Sequence, residues 1–303
     1  MSVIQQILKR QKLSCPSWLP MNLQFEAVTG SQAYGISTDA SDIDIVGFVV
    51  PPKDVVFPHL AGEIPGFGRQ QKRFDVWQQH HVKDGETEYD LTVYSIVKFF
   101  HLCMENNPNM VDVLFSPAHC IRHSTLLAQK VREYRHLFLH KGCYHKFIGY
   151  AYSQLNKMRT RKPEGKRKKL IEEYGFDTKY AYHLVRLLLE CEQILSTGDL
   201  CLDRDKEFLR AVRAGEWTQD RIVKFFEDKE RHLEQLYQTS DLPYKPPEGE
   251  IKRLLVECLE MHYGDISDGV HLPGTQEKAF RQIKEIAEKA LANNRFTCCP
   301  GVE

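Results

Sequence analysis

The 303-residue sequence has no net charge, its 41 lysines and arginines being matched by 41 aspartates and glutamates. No global field therefore draws it toward nucleic acid or a membrane surface, and any such attraction has to be local. No uninterrupted apolar run of about 18 residues occurs, which excludes a transmembrane helix. Gln5, Gln6, Lys9 and Arg10 break up the apolar residues between Met1 and Leu13, so that stretch cannot be a signal-peptide core. Nine cysteines are present, but they form no CxxC and, apart from Cys298-Cys299, stand singly. That scatter argues against a zinc site or a disulfide framework and fits packed thiols in a reducing compartment, so the expected location is the cytoplasm. Internal repeats and low-complexity segments are lacking too.

What is present describes a folded enzyme-sized chain. Hydrophobic residues at 42% and charged residues at 27% are ordinary globular values. The length favours two domains over one. Val3, Ile4, Ile7 and Leu8 fall at helical spacing in a segment over 2–13 that Pro16 and Pro20 close. Strand patterns follow at Leu23 to Val28, Ile43 to Val50, Arg73 to Val82 and Tyr89 to Val93. From Ser95 the period becomes helical, with Ile96, Val97, Phe99, Phe100 and Cys103 on one side, until Asn107-Pro108 stops it. Beyond residue 142 the pattern predicts helices alone, at about 144–158, 166–174, 178–196, 205–214, 218–238, 248–263 and 274–293. The expected fold is therefore α/β (α+β): a head with a small mixed sheet over 1–141, then an all-helical body over 142–303.

Chemistry concentrates in Val28-Thr29-Gly30-Ser31, followed after ten intervening residues by Asp42-Ile43-Asp44-Ile45-Val46. Side chains alternate across a strand, so Asp42 and Asp44 share one face while Ile43 and Ile45 turn to the core. Two neighbouring carboxylates repel unless a cation lies between them, and hard oxygen ligands suit magnesium. Two such ions, Mg2+ or Mn2+ in its place, could orient a nucleoside triphosphate, activate an attacking hydroxyl and steady departing pyrophosphate. A third carboxylate is needed. Asp90, in Glu88-Tyr89-Asp90-Leu91-Thr92, is the candidate because its own short strand could lie beside the first; Glu88 shares its parity and competes. Gly30 lets the backbone approach a phosphate, Ser31 offers a hydroxyl and an N–H, and Gly35 could relax the same loop. Each fragment alone is common as a turn or surface decoration. The combination at this distance should arise by chance in on the order of one chain in a hundred.

From Gly30-Ser31 through Asp42-Ile43-Asp44 the sequence resembles the DNA polymerase beta nucleotidyltransferase superfamily. Gly30-Ser31-Gln32-Ala33-Tyr34-Gly35, Ser41-Asp42-Ile43-Asp44-Ile45-Val46-Gly47 and Asn107-Pro108 after an amphipathic helix resemble one branch of it, a predicted nucleotidyltransferase family associated with RNA repair operons and also found in phages. The resemblance is strongest over residues 28 to about 117. It implies that Asp42, Asp44 and Asp90 are the metal ligands and catalytic carboxylates and that Ser41 sits with Gly30 and Ser31 at the nucleotide. It implies an activity class rather than a substrate, and an RNA end is the leading acceptor only when the family association is joined to the basic strip from Lys157 to Lys169.

Two further features bear on binding. Lys157 to Lys169 reads KMRTRKPEGKRKK, eight basic residues against one acid. Arg159, Arg161, Lys162, Lys166, Arg167, Lys168 and Lys169 could hold a nucleic-acid backbone, although a solvated loop and helix start explains such a run equally well. On the helix from Thr178, Lys179, Tyr182, His183, Arg186 and Glu190 align along one side. Lys179, His183 and Arg186 could face the triphosphate across a cleft; the plainer alternative is an exposed face with an Arg186–Glu190 pair. His80-His81 should point to opposite faces of a strand and share no metal. The expected reaction is transfer of a nucleoside monophosphate from a triphosphate to an acceptor. The alternatives are nucleotidylation of a protein or small molecule, and a nucleotide-sensing module without catalysis.

Overall fold

The computed structural model of the chain describes residues 1–10, 13–37, 42–68, 70, 72–160, 166–264, 283–284 and 286–287; of Leu60, Ala61, Lys166, Arg167 and Lys169 it describes the backbone alone. The helix expected at 274–293 and the residue Ser41 lie outside the described residues, apart from the four at 283–287. After a first helix α1 (Val3–Arg10), strands β1 (Leu23–Val28) and β2 (Ile43–Val49) lead to a short helix α2 (Lys53–Val56). Strands β3 (Val76–Asp84) and β4 (Thr87–Ser95), helices α3 (Ile96–Met104) and α4 (Pro108–Leu114), strand β5 (Ile121–Ser124) and helix α5 (Leu126–Glu133) follow. The rest is helical among the described residues: α6 (Cys143–Thr160), α7 (Lys166–Tyr174), α8 (Thr178–Thr197), α9 (Lys206–Arg213), α10 (Gln219–Thr239) and α11 (Glu248–Tyr263).

The five strands form one mixed sheet in the order β3-β4-β2-β1-β5. Only β2 and β4 run parallel; the other neighbours are antiparallel. The nearly continuous apolar run of β2 follows from this central place, where both faces are covered. Phe25 and Phe48 stack at 5.8 Å, and Phe48 and Phe99 at 4.8 Å, tying the sheet to α3. Gly47 is required for the β1–β2 approach: a Cβ there would lie 2.1 Å from the Phe25 carbonyl oxygen.

Helix α8 is the axis of the C-terminal part, packed by α6, α9 and α10. Asp177 caps it by accepting hydrogen bonds from the backbone N–H of Lys179 and Tyr180, and Gly198, with φ of 67°, ends it in the left-handed conformation. Helix α11 returns to the sheet-bearing part and packs on α3 and α5, with Lys130 and Glu257 paired at 2.6 Å. The seven described cysteines are free thiols. No described helix is long and apolar enough to cross a membrane.

Candidate active site

Parallel pairing of β2 with β4 sets Asp44 directly beside Asp90, with Ile43 beside Tyr89 and Ile45 beside Leu91. Neighbouring strands lie about 4.8 Å apart and residues in register project to the same face, so the two carboxylates stand side by side. Asp42 lies exposed just ahead of β2, two residues from Asp44. Burial raises the Asp44 carboxyl above its ordinary range, and the charges of Asp90 and Asp42 add to it; Lys179 and His80 pull the other way. Lys179, at the start of α8, is thereby placed within electrostatic reach of the carboxylates.

The glycine-serine turn closes against the same residue. The Thr29 backbone N–H donates to the Asp44 carbonyl at 2.9 Å. Gly30 adopts φ of +64°, and a Cβ there would come within 2.6 Å of Asp44 Oδ2. Only glycine combines that left-handed backbone with so close an approach. The turn is then anchored from the helical side: Arg210 donates to the Gly35 carbonyl at 2.5 Å and Arg213 to the Ile36 carbonyl at 2.9 Å. Ser31 is half-buried in the short 3-10 turn Gly30–Gln32.

A β-bulge in β3 overturns the expectation that His80 and His81 diverge. Register slips between Gln79 and Val82, and His81 takes φ of 56°. Two residues thus oppose one on the partner strand, which re-aims the side chains. His80 Nδ1 lies 3.4 Å from Asp90 Oδ1, and His81 Nδ1 lies 2.5 Å from Glu88 Oε1. The His81 backbone N–H donates to Asp90 Oδ1 at 2.8 Å. The hydrogen bond to Glu88 raises the His81 imidazole.

The α8 stripe also differs from expectation. It is not an exposed face: Arg186 is 5% accessible, Glu190 3% and Tyr182 2%. The Arg186 Nη1 group donates to Asp112 Oδ2, to both oxygens of Glu190 and, at 2.5 Å, to the Tyr34 hydroxyl; Tyr34 itself donates to Asp112 at 2.5 Å. Burial raises the carboxyls of Asp112 and Glu190, partly offset by the guanidinium. Arg186 is therefore committed on its Nη1 side to a buried network that joins the glycine-serine turn, α4 and α8. Helical spacing signals the Arg186–Glu190 pair alone; Tyr34 and Asp112 lie too far away in sequence for any spacing rule to add them.

The basic strip is described only in part. Arg159 is exposed, and Lys168 stands 3.8 Å from Glu172; Arg161 and Lys162 lie outside the described residues, as do the side chains of Lys166, Arg167 and Lys169. Close to its start is a cavity of about 670 Å³ among α4, α6 and α8, lined by Asn109, Lys146, Tyr150, Lys157, His183 and Arg186 among others. Lys146 escaped the sequence reading, although it lies on the same α6 face as Lys157, three helical turns away.

Among the described residues no three histidine, cysteine, aspartate or glutamate side chains already converge closely enough to hold a metal ion. Asp90 is turned toward the His81 N–H, which accounts for the open arrangement. The donor chemistry nevertheless suits a hard divalent cation: Asp44, Asp90 and Asp42 are carboxylates, and burial, with the neighbouring carboxylates adding to it, raises Asp44 in the way a cation would relieve.

The sheet, the paired carboxylates and the glycine turn against them fit a nucleotidyltransferase, and the family comparison agrees. The sequence model of RlaP, the RNA repair pathway DNA polymerase beta family, matches residues 3–257, and the chain belongs to that family. No curated protein matches. A nucleotidyltransferase-like protein from Exiguobacterium sibiricum has 11% identity and a TM-score of 0.29, covering 82% of this chain and 71% of its own.

Proposed function

We propose that this nucleotidyltransferase moves a nucleoside monophosphate from a nucleoside triphosphate to an RNA end, releasing pyrophosphate, and that it requires Mg2+ or Mn2+. The observation that carries the reading is the register match of Asp44 with Asp90 on parallel strands, with Gly30 closing on Asp44. In the reaction an acceptor oxygen forms a bond to the α-phosphorus, the bond from that phosphorus to the bridging β-phosphate oxygen breaks, and the acceptor proton leaves with a base. Asp42, Asp44 and Asp90 would hold the metal ions, whose chemistry is to neutralise charge on the phosphates and lower the pKa of the attacking hydroxyl. Ser31 and the open backbone at Gly30 would seat the phosphates, with Lys179 supplying positive charge across the cleft. Asp90 stands where it could take the acceptor proton. In this reading residues 1–141 carry the chemistry and 142–303 form the facing wall.

The test is incubation with each α-labelled triphosphate, Mg2+ and cellular RNA and protein, followed by nuclease or protease digestion. Label released by nuclease supports the RNA reading. Label released by protease alone would assign a protein acceptor instead, and no label with any triphosphate would remove the transfer reaction.

A further inference from the structure

We infer that the cavity among α4, α6 and α8 is a binding site for single-stranded RNA, holding the acceptor strand beside the carboxylates; this rests on the nucleotidyl-transfer reading above. Four observations carry it. The first is charge: Lys146, Lys157 and His183 line the cavity, and no carboxylate lines it among the described residues. Arg186 lines it too, with its charge balanced by the buried Asp112 and Glu190. Phosphates are the anions that the two lysines suit. Glu105 stands 3.5 Å from Lys146.

The second is a buried polar atom. Arg186 is 5% accessible and its Nε has no hydrogen-bond partner, although its Nη1 side is fully engaged. Buried donors are almost always satisfied, so a guanidinium N–H left over on a residue that lines the cavity points to an acceptor that arrives with a ligand. A phosphate oxygen is the natural one for arginine.

The third is extent. Lys146 and Lys157 stand roughly 16 Å apart along α6, at 1.5 Å rise per residue. Two phosphates of one strand can sit along that length. Tyr150, which also lines the cavity, offers a ring on which a base could stack.

The fourth is position. Lys179 acts on Asp44, and Tyr180 and His183, within one turn of it on α8, line the cavity. Arg186 touches both the cavity and, through Tyr34, the glycine-serine turn. A strand lying in the cavity would bring its terminal hydroxyl toward the carboxylates.

The experiment compares the wild type with the double variant Lys146→Glu/Lys157→Glu, both sites being on α6 and away from the buried network. Fluorescence anisotropy measures binding of a short labelled single-stranded oligoribonucleotide without triphosphate or metal, and separately binding of a fluorescent triphosphate with Mg2+. The expected result is an RNA affinity lowered at least about tenfold, with a shallower salt dependence, and a triphosphate affinity changed less than about twofold. Unchanged RNA affinity overturns the proposal. So does a loss confined to the triphosphate, which would make the cavity part of the triphosphate site, or an equal loss of both, which would indicate a general field. Because RNA binding is read without catalysis, a protein that binds RNA here yet transfers no nucleotide refutes the reaction and leaves the site standing. A protein that transfers nucleotide while the charge reversals leave RNA binding intact does the opposite.

Discussion

At Asp44 three demands meet: a partner carboxylate across the sheet, a glycine whose missing side chain leaves room for Oδ2, and burial that makes its charge costly without a cation. Alternation along one strand makes the Asp42–Asp44 face legible in the sequence, because period two is a property of any strand. The fates of His80 and His81 were not legible, since a bulge inserts one residue and breaks that period without leaving a glycine to mark it. The same bulge separates the two competing carboxylates. Glu88 is held by the exposed His81 ring, whereas Asp90 lies beside Asp44. Asp90→Ala should therefore lower turnover at saturating Mg2+ by about a hundredfold or more, the usual range for loss of a general base, with a modest loss of triphosphate affinity. Glu88→Ala should leave turnover within a few-fold of wild type. Single-turnover measurements on the two variants check this, and the reverse ranking would move the third ligand to Glu88.

Several elements that carry their own periodicity match their expected spans, β1 at Leu23–Val28, α7 at Lys166–Tyr174 and α11 at Glu248–Tyr263, while the helix expected over 2–13 spans Val3–Arg10 among the described residues and the strand expected from Arg73 starts at Val76. The misses have local causes. Asn107-Pro108 closes α3 but also opens α4, with the Asn107 side chain accepting from Asn109 and Met110 N–H and proline at the first helical position. Strand β5 is four residues, Ile-Arg-His-Ser, at a sheet edge, too short and too polar to show alternation. One element-level bond has a pH signature. Glu26 on β1 caps α1, accepting from Val3 N–H at 2.7 Å and Ile4 N–H at 3.0 Å, and burial raises its carboxyl from 4.5 to about 7. A carboxyl raised in the folded chain keeps its proton there after the unfolded chain has lost its own. Its favourable contribution is thus complete below pH 4.5 and is lost as pH rises to about 7. The loss should amount to at most ~3 kcal/mol. Denaturant unfolding should show wild-type stability falling across this window, and Glu26→Gln should flatten that segment of the curve; a wild-type curve rising there would contradict it.

For the molecule as a whole, the chain order of a sheet-bearing part followed by helices was readable, because the change of period near residue 142 is sharp. What joins the two was not. Tyr34, Asp112, Arg186 and Glu190 meet in one buried network, and α11 closes back on α3 and α5, with Tyr263 donating to the Pro51 carbonyl. Pairings between residues so far apart depend on packing, and packing leaves no local pattern. The network also changes the role expected of Arg186, from a side chain facing the triphosphate to a buried tie between the glycine-serine turn and the cavity wall.

Asp44 is the centre of the proposed metal-dependent nucleotidyl transfer, and pyrophosphate release tests that role most directly. With triphosphate, RNA and Mg2+ supplied, the wild type should release pyrophosphate and lose that activity on chelation. Asp44→Asn should abolish it by at least about a hundredfold while leaving the denaturant midpoint near the wild-type value, since asparagine keeps the shape and drops the charge. Wild-type release by a folded Asp44→Asn protein would contradict the assignment.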